Sequence, residues 1–149
     1  MTAATSAPNP PYLAVHETHV GVVFLIGDRA YKLKKPVDMG FLDFRTESAR
    51  AEVCQREVVL NQRLAPDVYL GVADVAGPDG RPCDHLVVMR RMPDERRLST
   101  LLHEGVPIED ELRHIAHVIA AFYSRCESTR QIEAEGSRDA LQALSLIHI

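Results

Sequence analysis

Short apolar runs separated by turn residues occupy the first third of the chain, a pattern typical of antiparallel strands. Residues 13–15 open a first strand, and residues 22–26 (VVFLI) form an uninterrupted apolar run of strand length. A Gly-Asp turn signal separates this run from residues 30–34 (AYKLK), so the two runs predict a β-hairpin. Because side chains alternate along a strand, Lys32 and Lys34 are expected on one face of the second arm.

A helix is predicted over residues 46–64, with Thr46 as its N-cap and Pro66 just beyond its end. Glu57 falls on the face of this helix that should pack on the sheet, where an unpaired carboxylate is costly to bury. Glu57 therefore either has a charged partner or lies at the solvated edge of that face. The apolar residues that define the predicted face are Ala49, Val53, Leu60 and Leu64.

Two further strands are predicted over residues 68–75 and 85–89, separated by a Gly-Pro-Asp-Gly turn. A short helix over residues 96–103 follows them, and then a long amphipathic helix over residues 108–126. The apolar stripe of the long helix consists of Leu112, Ile115, Ile119 and Phe122.

This order of elements predicts an α+β fold in which an antiparallel sheet of about five strands packs on one helix. Residues 12–92 would form this lobe, and residues 93–143 would leave it and begin an α-rich lobe. Residues 1–11 are rich in Ala, Thr, Ser and Pro and predict a disordered leader. Residues 144–149 depart from the preceding pattern and are interpreted as a non-native tail.

Composition and charge narrow the possible functions. The chain has 149 residues, a net charge of −4 and 46% apolar residues, which fits one globular domain rather than a disordered chain. The acidic balance argues against nucleic acid as a partner. No apolar stretch is long enough to span a membrane, and no signal peptide is recognisable. The three cysteines are widely spaced and predict neither a disulfide framework nor a zinc site, so we expect a cytoplasmic protein.

The lysines are unusually distributed. Only three of the seventeen basic side chains are Lys, and all three lie within four residues, at Lys32, Lys34 and Lys35. Chance and a general preference for Arg are one explanation of this clustering. The other is a site that needs compact ammonium groups close to phosphate.

The spacing of Lys32 and Glu57 suggests a specific arrangement. Lys32 lies on the predicted third strand, and Glu57 lies 25 residues later on the next helix. In enzymes that transfer phosphoryl groups from a nucleotide, a helix glutamate so placed holds a strand lysine against the phosphates. The fifth strand would then run through residues 87–93 into a hinge whose backbone groups can bind an adenine edge.

Six longer motifs extend this interpretation: ETH at 17–19, GDRAYKLKKPV at 27–37, FLDF at 41–44, CQRE at 54–57, LNQRLAPDVYLG at 60–71 and VMRRMP at 88–93. Together they resemble the opening of the aminoglycoside phosphotransferase-like enzymes, which have the protein-kinase-like fold. The similarity is to the branch often fused to a C-terminal P-loop ATPase module. It covers roughly residues 12–143.

The resemblance implies an ATP-dependent phosphotransferase that acts on a small-molecule hydroxyl, with ATP and Mg²⁺ as cofactors of the complete protein. Lys32 would be the phosphate-binding lysine and Glu57 its partner. Lys34 is the alternate, because it shares a face with Lys32. Met89 would be the gatekeeper, followed by a hinge made of Arg90, Arg91 and Met92.

Departures from the family pattern limit what the chain alone is expected to do. No GxGxxG motif joins the first two strands, so the turn near His19 would cover phosphates less completely than the loop of protein kinases. The catalytic His-Gly-Asp or His-Arg-Asp signature and the later Mg²⁺-binding Asp do not occur, so no catalytic or metal-binding residue is assigned. We therefore expect an N-terminal fragment that lacks the rest of the C-lobe and is inactive alone. The alternative is a non-catalytic nucleotide-sensing or protein-interaction module.

Weaker signals have simpler explanations. His114 and His117 have no third metal ligand nearby, and a solvated helix face explains them better than a zinc site. The basic patch that ends in Arg96 and Arg97 is explained better by local ion pairs than by binding of an anion. Cys54 is interpreted as a small buried residue.

Overall fold

The computed structural model describes residues 13–146 of the chain. The predicted leader at residues 1–11 and the last three residues of the predicted tail lie outside the described residues. The first lobe contains five strands and one helix: β1 (Leu13–Glu17), β2 (Gly21–Ile26), β3 (Arg29–Lys34), α1 (Glu47–Gln62), β4 (Tyr69–Ala76) and β5 (Pro82–Arg90).

The five strands form one antiparallel sheet in the order β1-β2-β3-β5-β4. The predicted α+β class and the predicted hairpin are confirmed. Register places Lys32 of β3 between Val23 of β2 and Val87 of β5. Because paired residues of antiparallel strands project to the same side, these three side chains share one face of the sheet.

The helix α1 begins where its cap was predicted. The Thr46 side chain accepts a hydrogen bond from the Ala49 N–H at 3.2 Å, which satisfies one of the free amides of the first turn. The helix ends at Gln62, four residues before Pro66. Its predicted limits are therefore correct to within two residues.

The predicted packing face of α1 is wrong in part. Leu60 and Leu64 are about half exposed, whereas the buried residues of the helix are Cys54, Val58 and the charged Arg50. This face can be buried because the Arg50 guanidinium donates hydrogen bonds to Asp84 of the sheet and to the Phe44 carbonyl. A prediction from apolar spacing alone does not count such a residue as buried.

The core of the lobe lies between α1 and the β4–β5 half of the sheet. Val87 and Cys54 are fully buried there, and Val58 is 4% exposed. This contact fixes α1 across β5, and it therefore fixes where the remaining side chains of the helix meet β3. The partly buried residues that pack against this core are Tyr69, Val72 and Met89.

Helices dominate the second half of the chain. A short 3-10 turn at Asp94–Arg96 leads to α2 (Leu98–His103), α3 (Glu109–Tyr123), α4 (Arg130–Glu135) and α5 (Arg138–Leu146). The short and long helices match the predicted ones, whereas α4 and α5 were not predicted. The apolar stripe of α3 is uncovered in the described part of the chain, with Leu112, Ile115 and Ile119 each 44–47% exposed. None of the helices within residues 13–146 combines the length and apolar character needed to cross a membrane.

Two neighbouring valines test the packing face of α1. Val58→Ala removes methyl groups from the core and should lower the free energy of unfolding by about 2 kcal/mol. Val59→Ala is the matched control, because Val59 is 56% exposed, and it should change the free energy by less than about 0.5 kcal/mol. Urea denaturation measures both, and equal losses would contradict the packing described here.

Candidate functional site

Three charged side chains meet where β3 faces α1, and we call them the lysine–glutamate cluster: Lys32, Lys34 and Glu57. The Lys32 ammonium donates a hydrogen bond to Glu57 Oε1 at 2.8 Å. The Lys34 ammonium donates to the other carboxylate oxygen, Oε2. Of the two interpretations of Glu57 that the sequence allowed, the structure supports the one with a charged partner and supplies two partners.

Local structure explains why the three residues meet. Alternation along β3 sends Lys32 and Lys34 to the face that α1 covers, as predicted. Glu57 lies one residue before the buried Val58, at the side of α1 nearest β3. The core contacts of α1 therefore bring the carboxylate to a fixed place above the two lysines.

The members of the cluster differ in their access to solvent. The Lys32 side chain is 32% exposed, the Glu57 side chain 14% and the Lys34 side chain 8%. The Lys34 ammonium also lies 5.8 Å from the centroid of the buried Phe44 ring, within range of a cation–π interaction. Lys32 is therefore the cation of the cluster that an incoming ligand can reach.

Electrostatics favour the charged forms of Glu57 and Lys32. Burial opposes the charge of Glu57, but the hydrogen bonds and charges of Lys32 and Lys34 outweigh it and hold the pKa of Glu57 below its usual value. Burial likewise opposes the charge of Lys32, and Glu57 reverses this effect and raises the pKa of Lys32. With one carboxylate and two ammonium groups, the cluster carries a net charge of +1 and can attract an anion.

Beside the cluster, the sheet continues as a partly open surface. Val87, on one side of Lys32, is fully buried under α1, whereas Val23 on the other side is only partly buried. Met89 lies opposite Ala30 and so on the same face as Lys32. The predicted gatekeeper and the predicted phosphate lysine are thus placed along one face, at the edge of α1.

The turn between β1 and β2 satisfies its own backbone groups. The Thr18 hydroxyl accepts from the Gly21 N–H and donates to the Gly21 carbonyl, each at 3.1 Å, and the Thr18 N–H donates to the same carbonyl at 2.8 Å. A side chain at Gly21 would not fit, because a Cβ there would lie 2.7 Å from the Leu33 carbonyl oxygen. This turn is compact and does not resemble an open, glycine-rich phosphate loop. Lys35 pairs with Glu17 beside it.

The predicted hinge residues leave the sheet at the end of β5. The Arg90 N–H donates to the Val68 carbonyl at 2.8 Å, and the Arg91 N–H donates to the Asp28 carbonyl at 2.9 Å. Met92 is 57% exposed. A cavity of about 250 Å³ opens there, and its lining includes Arg91 and Met92 together with the β2–β3 turn.

A larger cavity of about 660 Å³ lies away from the cluster, between the end of α1 and the helices α3 and α4. Arg63 crosses it, with its guanidinium 4.7 Å from the centroid of the Phe122 ring. None of the sequence-predicted site residues lines this cavity. We therefore place the candidate site at the lysine–glutamate cluster, where the charged groups converge, and not at this larger cavity.

The structure also holds a second charged cluster that the sequence analysis missed. The His85 ring bonds to the Asp74 carboxylate of β4 through Nδ1 at 2.9 Å and to Glu47 at the start of α1 through Nε2. Next to it, Arg50 donates to Asp84 at 2.9 Å and to the Phe44 carbonyl at 3.0 Å. These contacts attach the first half of α1 to the sheet and so help to position Glu57.

The weaker sequence signals do not form further sites. His114 and His117 lie on the exposed surface of α3, and within residues 13–146 no three His, Cys, Asp or Glu side chains are grouped to hold a metal. Arg97 forms an ion pair with Asp94 at 2.8 Å, as predicted for the basic patch. Cys54 is fully buried, and burial raises the pKa of its thiol.

Comparisons with known proteins give relatives but no family. No protein-family model matches the chain, and no solved structure matches it. Three uncharacterized mycobacterial proteins are similar to it, one from Mycobacterium bovis and two from strains of Mycobacterium tuberculosis. Each is 45% identical over 131 residues, which make up 88% of this chain and 26% of the relative. The chain thus spans about a quarter of the length of the curated relatives it matches.

The His85 contacts predict a pH-dependent stability. The hydrogen bond that His85 donates to Glu47, aided by the contact with Asp74, raises the pKa of His85 above its unfolded value of 6.5. The stabilisation is therefore complete below about pH 6.5 and is lost as the pH rises through the higher folded pKa. As the pH rises above about 6.5, the melting temperature of the wild type should therefore fall more steeply than that of His85→Gln. His117→Gln, at an exposed position, should keep the wild-type profile, and parallel profiles for all three proteins would contradict the prediction.

Proposed function

We propose that this chain is the nucleotide-binding half of an ATP-dependent phosphotransferase of the aminoglycoside phosphotransferase-like family. The contact between Lys32 and Glu57 carries this proposal. The contact joins a lysine of β3 to a glutamate of α1, and α1 is the helix that packs on the sheet. In kinases, a pair so arranged presents the ammonium to the phosphates of ATP.

The surrounding fold supports the same assignment. A five-stranded antiparallel sheet with α1 on one face is the architecture that a protein-kinase-like N-lobe would require, and the chain then leaves the sheet through residues 90–92. The adenine would bind near Met89 and the residues that follow it, where the cavity lined by Arg91 and Met92 opens. The triphosphate would then extend along the sheet towards Lys32.

In this proposal the residues of the chain bind and orient the nucleotide. Lys32 donates hydrogen bonds to phosphate oxygens, and such charge-assisted bonds are among the stronger ones in proteins. Glu57 fixes the direction of the Lys32 side chain. Mg²⁺ would neutralise charge on the phosphates, but the described residues offer no group of three His, Cys, Asp or Glu side chains that could hold it, so we assign it no ligands. The acceptor, a small-molecule hydroxyl, is proposed for the complete protein only.

Nucleotide binding is testable on the chain itself. Lys32→Met removes the reachable ammonium and should weaken ATP binding by about tenfold or more in isothermal titration calorimetry. Arg81→Met is the matched control, because it removes one positive charge from the exposed β4–β5 turn, and its affinity for ATP should equal that of the wild type. A wild type that does not bind ATP, or a Lys32→Met variant that binds it equally well, would contradict the proposal.

Phosphoryl transfer is tested in a longer protein. In a chimera, this chain replaces the matched segment of one of the Mycobacterium tuberculosis relatives. The chimera should consume ATP, and Lys32→Met should reduce the rate by at least about a hundredfold, whereas Arg81→Met should not. ATP binding without turnover in the chimera would favour the nucleotide-sensing module instead.

A further inference from the structure

Lys34 is much more buried than Lys32. Its side chain is 8% exposed, against 32% for Lys32, and its ammonium is occupied by Glu57 Oε2 and the nearby Phe44 ring. A ligand that approaches the cluster therefore meets Lys32 first. Lys34 can influence such a ligand mainly through Glu57.

We propose that Lys34 is a positioning residue of the nucleotide site, which holds Glu57 and offsets its charge so that Lys32 stays available to the triphosphate. This inference rests on the proposed nucleotide-binding function. It concerns a residue that neither the composition nor the spacing of the chain assigns to this role.

The charges of the cluster support this inference. A single Lys–Glu pair is neutral, so a phosphate must compete with the carboxylate for the one ammonium. Here each oxygen of Glu57 has its own ammonium, because Oε1 accepts from Lys32 and Oε2 from Lys34. The cluster thus keeps a charge of +1 while both carboxylate oxygens of Glu57 are paired.

The burial of Glu57 gives Lys34 a second effect. Lys32 must direct some of its hydrogen bonds to a phosphate when a nucleotide binds. Without Lys34, the Glu57 carboxylate, which is only 14% exposed, would then lose its partner. A buried charge without a partner is strongly destabilising. Because Lys34 stays paired with Glu57, Lys32 can bind a phosphate with a smaller loss of folding stability.

Lys35 does not take part in this arrangement. Its ammonium pairs with Glu17 and donates to the Thr18 carbonyl at 2.8 Å, on the turn between β1 and β2. The three clustered lysines thus have three different environments. We assign one to the ligand, one to Glu57 and one to the turn.

The test is a charge-rescue series measured by calorimetry with ATP and with adenosine, which lacks the phosphates. Lys34→Met should weaken ATP binding by about tenfold, because the cluster becomes neutral and Glu57 then competes for Lys32. Adenosine binding should not change. The double variant Lys34→Met/Glu57→Gln removes one charge of each sign, and it should recover most of the lost ATP affinity.

The outcomes distinguish a role of Lys34 through Glu57 from no such role. If Lys34→Met binds ATP as the wild type does, or if the double variant stays as weak as Lys34→Met, Lys34 does not act through Glu57 and this inference is wrong. Circular dichroism and thermal melting verify folding. Should Lys34→Met fail to fold, the double variant alone decides, because near-wild-type ATP affinity supports the inference and affinity as low as that of Lys32→Met overturns it.

The two proposals fail differently. ATP binding that Lys32→Met weakens and Lys34→Met does not would overturn the role of Lys34 and leave the proposed function in place. No ATP binding by the wild type would overturn both. Arg81→Met, again the control for loss of one positive charge, should bind ATP and adenosine as the wild type does.

Discussion

The burial of one carboxylate organises the first lobe. Glu57 is largely removed from water on α1, and a charge in that position must be paired to be tolerated. Its two partners come from β3, so the same interaction that satisfies Glu57 also attaches the helix to the strand. The apolar core under Val87 and Cys54 fixes the helix on β4 and β5, and the cluster fixes the edge of the helix that faces β3.

The part of the sheet that holds α1 is different from the part that is open to a ligand. On the β5 side, α1 covers the sheet, and the His85 and Arg50 contacts strengthen its attachment. Beyond Lys32, the face continues over β2, where Val23 is only partly buried. Lys32 lies at the boundary between these two regions. Glu57 of α1 holds its ammonium on the covered side, and a ligand can reach it from the β2 side. The proposed function follows from this placement, since a triphosphate needs a rigidly held positive charge next to an accessible surface.

Local sequence signals predicted most of the elements. Alternation along β3 correctly placed Lys32 and Lys34 on one face, and Thr46 marked the start of α1. The face of α1 was predicted less well, because the buried Arg50 depends on Asp84, which lies 34 residues away. Apolar spacing cannot include a charged residue whose partner is supplied by a distant strand.

The second cluster shows the same limit more clearly. His85 gains its partners from the start of α1 and from β4, two segments that only the fold brings together. No spacing of Glu47 and Asp74 along the chain marks them as neighbours. Glu57 was found because a charged residue on a predicted packing face is itself a local anomaly, and Lys34 was noticed because the lysines cluster. Which of the two lysines is the more buried required the three-dimensional structure.

The central claim is that Lys32 faces the phosphates of a nucleotide bound on this sheet. It is tested most directly by affinity labelling with an adenosine analogue that carries a sulfonyl fluoride in place of the phosphates. The chain has only three lysines, at positions 32, 34 and 35, so mass spectrometry can identify the modified site without ambiguity. The account predicts that the label attaches to Lys32 and that ATP prevents the reaction. Labelling of Lys35 alone, or labelling of Lys32 that ATP does not suppress, would contradict it.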